Sequence, residues 1–162
     1  MTERPEIFPL QAVHPMILLK FLDLPEDPGV AQLLFSYFQE SGIILPFVLE
    51  EPGPAGRNLL LLVDAAAAVA ATAAEARSLL LDLSQARDLT VEAPVAMVRI
   101  FGPHFDIRPG LAAILYNGLA RAGVHVLAGS TTITSTLLVV PEQELERLIR
   151  VLRTIFRLPR AS

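Results

Sequence analysis

Cysteine is absent from the 162 residues. That rules out disulfides, thiolate zinc sites and cysteine nucleophiles together. Histidine occurs three times. His104 and Asp106 share one loop, with only His14 and His125 elsewhere, which falls short of the three or four convergent ligands a metal site requires. No Gly-x-Ser-x-Gly elbow accompanies Ser130-Thr131-Thr132. The Pro/Gly-rich run EEPGPAGR lacks the Lys-Ser/Thr of a phosphate-binding loop. No catalytic residue, metal or cofactor is therefore assigned. Basic residues are also scarce: 13 Lys and Arg stand against 17 Asp and Glu, for a net charge of −4. Nucleic acid and anionic membranes reward clustered Lys and Arg, so neither is an expected partner. The start, MTERPEIFPL, lacks the basic-then-apolar order of a secretion signal, and a cytoplasmic location is expected.

Apolar residues, by contrast, are abundant, at 52% of the chain with a mean hydropathy of +0.51. The most apolar window, Leu59 to Ala74, contains Asp64, is largely alanine and is shorter than the roughly 20 residues of a membrane span. Met16 to Leu22 (MILLKFL) and Leu59 to Val63 (LLLLV) barely alternate, as strands covered on both faces do. A small domain has little with which to cover two faces, so oligomerisation, as a homodimer, or packing of one domain on another is expected.

One stretch occurs twice. Pro28 to Leu45, PGVAQLLFSYFQESGIIL, aligns without a gap on Pro109 to Val126, PGLAAILYNGLARAGVHV, and Gly29 and Gly110 lie 81 positions apart. Pro28, Gly29, Ala31, Leu34 and Gly42 match Pro109, Gly110, Ala112, Leu115 and Gly123. In each copy Pro-Gly opens a helix, apolar residues recur at helical spacing, and a glycine ends the helix in the left-handed conformation. The duplication points to two small domains, 14–93 and 94–158.

Around these helices the chain reads as alternating short elements. Strands are expected at Met16 to Leu22, Ile43 to Leu49, Leu59 to Val63 and Asp88 to Glu92. In the second half they are expected at Val95 to Phe101, Val124 to Ala128 and Thr132 to Val140. His14-Pro15 reads as a turn, Gly129-Ser130-Thr131 as a turn or bulge, and Glu50 to Arg57 as a hairpin connection. Asp64 is placed to cap a helix over Ala65 to Leu83. Pro141 starts a last helix with an apolar stripe from Leu145 to Phe156, its arginines forming a solvated face. Each unit runs β-α-β-β-α, and the first adds a closing strand. The fold class is α+β: two ferredoxin-like βαββαβ units, with antiparallel sheets and helices on one face. In the second unit either the sheet has three strands or the N-terminal segment, residues 6–13, crosses over to complete it.

This pattern resembles the ACT domain, here doubled over nearly the whole chain. The segments LPEDPGVAQLLFSYFQESGIIL and VRIFGPHFDIRPGLAAILYNGLARAGVHVLAGST are similar to the paired ACT domains that regulate aspartokinases. The second unit is also similar to ACT repeats of cytosolic arginine sensors. The resemblance implies a non-catalytic regulatory module that binds a small molecule, usually an amino acid, at an interface between ACT domains. It implies in addition that an N-terminal strand joins the second domain. By position it nominates Glu26, Asp27 and Gly29 in the first unit, and His104, Phe105, Asp106, Gly110, Ser130 and Thr131 in the second. The chemistry is coherent: a helix start suits an α-carboxylate, and a nearby acid suits an α-ammonium. Glu50 and Glu51 depart from the amides usual in aspartokinases. The alternative expectation is an interaction subunit without ligand that regulates a partner enzyme.

Overall fold

A computed structural model describes residues 4–5, 10–65, 74–102 and 110–157. Its chain divides into two compact units: Pro15–Pro94, called the first here, and Val95–Ser162 together with Met1–His14, the second. The strands are β1 (Gln11–Leu24), β2 (Phe47–Pro52), β3 (Arg57–Asp64), β4 (Asp88–Phe101), β5 (Ala128–Thr131) and β6 (Ser135–Pro141). The helices are α1 (Pro28–Glu40), α2 (Ala74–Ser84), α3 (Leu111–Arg121) and α4 (Leu145–Ile155), with a 3-10 turn at Glu142–Glu144.

In the first unit the strand order is β2-β3-β1-β4, the ferredoxin-like order, with β1–β3 and β2–β3 antiparallel. Ile17, Leu19 and Phe21 of β1 and Leu59, Leu61 and Val63 of β3 share one face, and Leu34, Phe38 and Leu80 of the helices pack on it. Met16, Leu18, Leu60 and Leu62 alternate onto the opposite face and are buried too. Burial on both faces is what unbroken apolar strands foretell. It is complete within one chain, so these strands do not by themselves require a second copy.

In the second unit β4, β6 and β5 lie side by side, antiparallel, and α3 and α4 pack together. The stripe of α4 is core as expected: Leu145, Leu148, Leu152 and Phe156 are buried among Val98, Ile100, Leu115 and Leu138. Its arginines, Arg147, Arg150 and Arg153, are exposed. Mid-helix Gly118 lets the helices approach, since a Cβ there would sit 3.0 Å from Ile155. The N-terminal segment is tied to this unit. The Arg157 N–H donates to the Pro5 carbonyl at 2.8 Å, and Leu10 packs on the core. Residues 6–9 of the expected crossing strand 6–13 lie outside the described residues.

The repeat is exact in its physics. The buried residues of α1, Val30, Leu34 and Phe38, correspond at the 81-residue spacing to Leu111, Leu115 and Leu119 of α3. Both helices end in one motif. Gly42 (φ +67) and Gly123 (φ +64) donate to Gln39 and Ala120, and the next N–H, of Ile43 or Val124, reaches back to Phe38 or Leu119. This paired bonding of the last carbonyls needs a left-handed residue, which glycine adopts without steric cost.

Several boundaries differ from the sequence reading. After each glycine the chain runs irregularly before pairing begins, so β2 starts at Phe47 and β5 at Ala128. Gly129-Ser130-Thr131 is accordingly strand, paired to Leu138, Leu137 and Thr136, and the turn lies beyond it. His14-Pro15 is no turn, because β1 runs straight through it. Proline's restraint on the residue before it favours extended backbone, and a strand accepts proline where no ladder N–H is needed. Asp88 to Phe101 is likewise one strand, not two. Asp64 ends β3, and residues 66–73 of the helix expected over Ala65 to Leu83 lie outside the described residues. Among the described residues no helix is long and apolar enough to cross a membrane.

Candidate functional site

The site begins where β1 gives way to α1. Asp27 is extended (φ −74, ψ 117) and its carboxylate accepts the Gly29 N–H at 2.8 Å, while Pro28 occupies the first helical position. The carboxylate therefore satisfies one of the free N–H groups at the helix start. Replacing Asp27 by Ala should cost about 1 kcal/mol, the usual worth of such a cap, read as a shift in urea midpoint. No loss of stability would mean that the carboxylate is not engaged with the helix.

Glu26 and Asp27 open onto a cleft of about 250 Å³. Its other walls are Ala31 of α1 and Glu50, Arg57 and Leu59 of the β2–β3 hairpin. Arg57 Nη1 donates to Glu50 Oε2 at 3.2 Å. A wider groove of about 600 Å³ continues along the hairpin past Glu51 and Pro54. There Lys20 Nζ approaches Glu51 Oε1 at 3.6 Å. The cleft is thus lined by three acids, Glu26, Asp27 and Glu50, by one guanidinium, and by the apolar carbon of Ala31 and Leu59. Of the residues expected here, the structure brings Glu26 and Asp27 together, whereas Gly29 has its N–H committed to Asp27. Glu50 and Arg57 were not singled out as contacts. The signal was the register: with Leu24 and Pro52 both opposite Arg57, a hairpin folded on β1 carries Arg57 to the mouth of the loop.

Behind the cleft lies Asp23, with φ +51 and a side chain only 5% exposed. It accepts from Arg87 Nε at 2.7 Å and from the Ala55 N–H at 3.0 Å, while its own N–H donates to Asn58 Oδ1 at 3.0 Å. The Arg87 hydrogen bond, then that of Ala55, holds the Asp23 carboxyl below its ordinary value of 3.8. A depressed acid contributes stability that is present above the unfolded value and is lost as pH falls through the folded one. The stability gap between wild type and Asp23→Asn should therefore be constant near neutrality and close below about pH 4. Urea titrations at a series of pH values check this, and a gap that widens on acidification would contradict it.

In the second unit, Gly110 stands at φ +92 before α3 with no side-chain cap, and is exposed. Ser130 and Thr131 lie in β5, and Thr131 Oγ1 accepts from Thr136 Oγ1 at 3.1 Å. His104, Phe105 and Asp106 lie outside the described residues. Among the described residues no group of three or more His, Asp or Glu could hold a metal ion.

An α+β chain of two ferredoxin-like units is the class defined by this fold. Within that class, residues 90–154 match the family profile of the ACT domain. No curated protein matches the sequence. Among solved structures, the regulatory subunit of aspartate kinase from Thermus flavus has a TM-score of 0.79 at 19% identity, covering 93% of this chain and 98% of that one. The ligand-free regulatory subunit from Thermus thermophilus gives 0.77 at 19% identity, over 93% and 99%. Aspartate kinase from Synechocystis gives 0.83 at 20% identity, over 98% of this chain and 28% of that one. Over residues 90–154 the chain is thus similar to the ACT domain, and its fold resembles that of the aspartate kinase regulatory subunits. Identities this low speak for fold and not for ligand.

Proposed function

We propose that this chain is a non-catalytic, cytoplasmic regulatory protein that binds an amino acid, or a related small molecule, in the cleft at the start of α1. The observation that carries the proposal is the cleft's polarity. Glu26 and Asp27 suit an α-ammonium, and Arg57 suits an α-carboxylate. The guanidinium has five donors and, among the described residues, one ion pair, to Glu50, so it can hold both acids at once. Ala31 and Leu59 line the space left for an apolar stem. At about 250 Å³ the cleft is smaller than the roughly 300–1,000 Å³ of drug-sized sites and suits a metabolite. Likeness to aspartokinase regulatory subunits supports a regulatory role toward a partner enzyme. A homodimer is the assembly we favour, and Leu33, Ile44 and Val48, exposed on the first unit, are groups that a second copy would cover.

A thermal-shift screen of the twenty amino acids tests the reading. A true ligand at a hundred times its dissociation constant adds about 2.7 kcal/mol and a shift of several degrees. Loss of that shift in Arg57→Ala would tie it to this cleft; a flat screen on the wild type would count against ligand binding.

A second reading is favoured by one contact. Asp27 already takes the Gly29 N–H, the donor that a ligand's carboxylate would seek at a helix start. On this reading the chain is an interaction subunit without ligand. A stoichiometric partner enzyme recovered with a flat screen would support it.

A further inference from the structure

We propose that Asp23 is the positioning residue of the ligand cleft: it clamps the β2–β3 turn to the loop before α1, so that Arg57 and Glu50 face Glu26 and Asp27. The assignment rests on reading that cleft as the binding site. Neither Asp23 nor its partner Arg87 lines the cleft, yet both walls depend on them. One wall is the loop Leu24–Asp27, which leaves β1 through the left-handed residue Asp23. The other is the hairpin, whose turn is closed by the Gly53 N–H on the Gly56 carbonyl.

Asp23 grips that turn twice. Its carboxylate takes the Ala55 N–H, and its backbone N–H is taken by Asn58 Oδ1. Gly56 is pressed against the Leu24 carbonyl so closely that no side chain fits between them. The turn therefore cannot slide along the loop without breaking these bonds. Arg87 completes the clamp from the α2–β4 connection, with its guanidinium on Asp23 and its N–H on the Leu22 carbonyl.

Two features set this apart from a mere stabilising contact. An ion pair to an arginine that is 62% exposed contributes little to stability. A left-handed backbone at a residue other than glycine is an uncommon choice, and residues held so tend to cluster where geometry matters to function. Both occur at the one point where the hairpin carrying Arg57 meets the loop carrying Glu26 and Asp27. Without Arg87 a nearly buried carboxylate would be left uncompensated and would turn toward water, releasing Ala55 and with it the hairpin wall.

The test measures dissociation constants by calorimetry on the full chain at neutral pH. The probe is whichever amino acid stabilises the wild type most, and urea midpoints are recorded alongside. Arg87→Ala alters no cleft-lining atom. It and Asp23→Asn should each weaken binding by about tenfold, and the double variant by no more than either alone, since both remove one clamp. Arg87→Lys should recover most of the affinity by restoring a cation. A purely structural role would lower the urea midpoint and leave the affinity of the folded protein within about twofold of wild type. That result overturns the assignment. A wild type that binds none of the twenty amino acids is recognised before any variant is compared; it overturns the ligand reading and the assignment together.

Discussion

A Phe21→Ala variant should lose about 3–5 kcal/mol of stability, the cost of removing a phenyl ring from a core that closes only partly behind it. Phe21 is fully buried near the C-terminal end of β1, directly opposite Leu59 of β3, and belongs to the cluster formed with Leu34, Phe38 and Leu61. Its neighbours come from two strands and a helix whose backbones are fixed by pairing, so they cannot all move in to fill the space. Against a total stability of about 5–15 kcal/mol, such a loss leaves the unit near its folding threshold. Urea denaturation measures it as a lowered midpoint at unchanged slope. Leu79→Ala serves as the contrast, because Leu79 lies in α2 of the same unit but is 42% exposed and should change stability by no more than about 0.5 kcal/mol. Equal losses in the two variants would mean that the first unit's core is not built as described.

Gly56→Ala should be the most damaging single-methyl change in the hairpin. The new Cβ would overlap the carbonyl oxygen of Leu24 and crowd the Asp23 backbone, and neither can rotate away as a side chain can. We expect a loss of about 1–3 kcal/mol or more, as for overpacking at a rigid site, together with weaker ligand binding as the hairpin lifts from the loop. Gly53→Ala is the instructive comparison. Its Cβ would meet Asp23 Oδ1 at 2.5 Å and Asn58 Oδ1 at 2.8 Å, atoms of side chains that can shift by giving up hydrogen bonds. The order of the two urea midpoints, with Gly56→Ala lower, is the check; the reverse order would show that the hairpin is free to move away from Leu24.

Particular residues show how much of this was legible beforehand. The helices could be read to the residue at their C-terminal ends, because Gly42 and Gly123 serve a conformation that few other residues adopt, and the preceding apolar spacing names the buried face. The alternation-free strands Leu59 to Val63 and Met16 to Leu22 foretold burial on two faces. Strand starts were misjudged by about four residues in both copies, for one reason: Ile43 and Val124 are β-branched and follow a helix-ending glycine, but their N–H groups are spent on the helix carbonyls of Phe38 and Leu119. Thr131, expected in a turn or bulge, is held in a regular strand by its pairing with Thr136. Of the site, Glu26 and Asp27 were found from their place before a proline-led helix. Asp23, Arg87 and Arg57 were not singled out, since nothing local marks them, and Glu50 was noted only as a departure from the aspartokinase pattern.

From the sequence alone follow the duplication, the helix class and buried face of its two copies, the near-continuous apolar strands, and the acidic residues ahead of each duplicated helix. These are local properties, written in spacing, turn chemistry and composition over a dozen residues or fewer. Only the tertiary structure decided that Arg57 faces Glu26 across a cleft, that Asp23 and Arg87, 64 positions apart, meet in one ion pair, and that both sheet faces are covered within a single chain. Those are contacts between segments distant along the chain, and they depend on strand register. A shift of one residue in that register would turn every side chain of the hairpin to the other face.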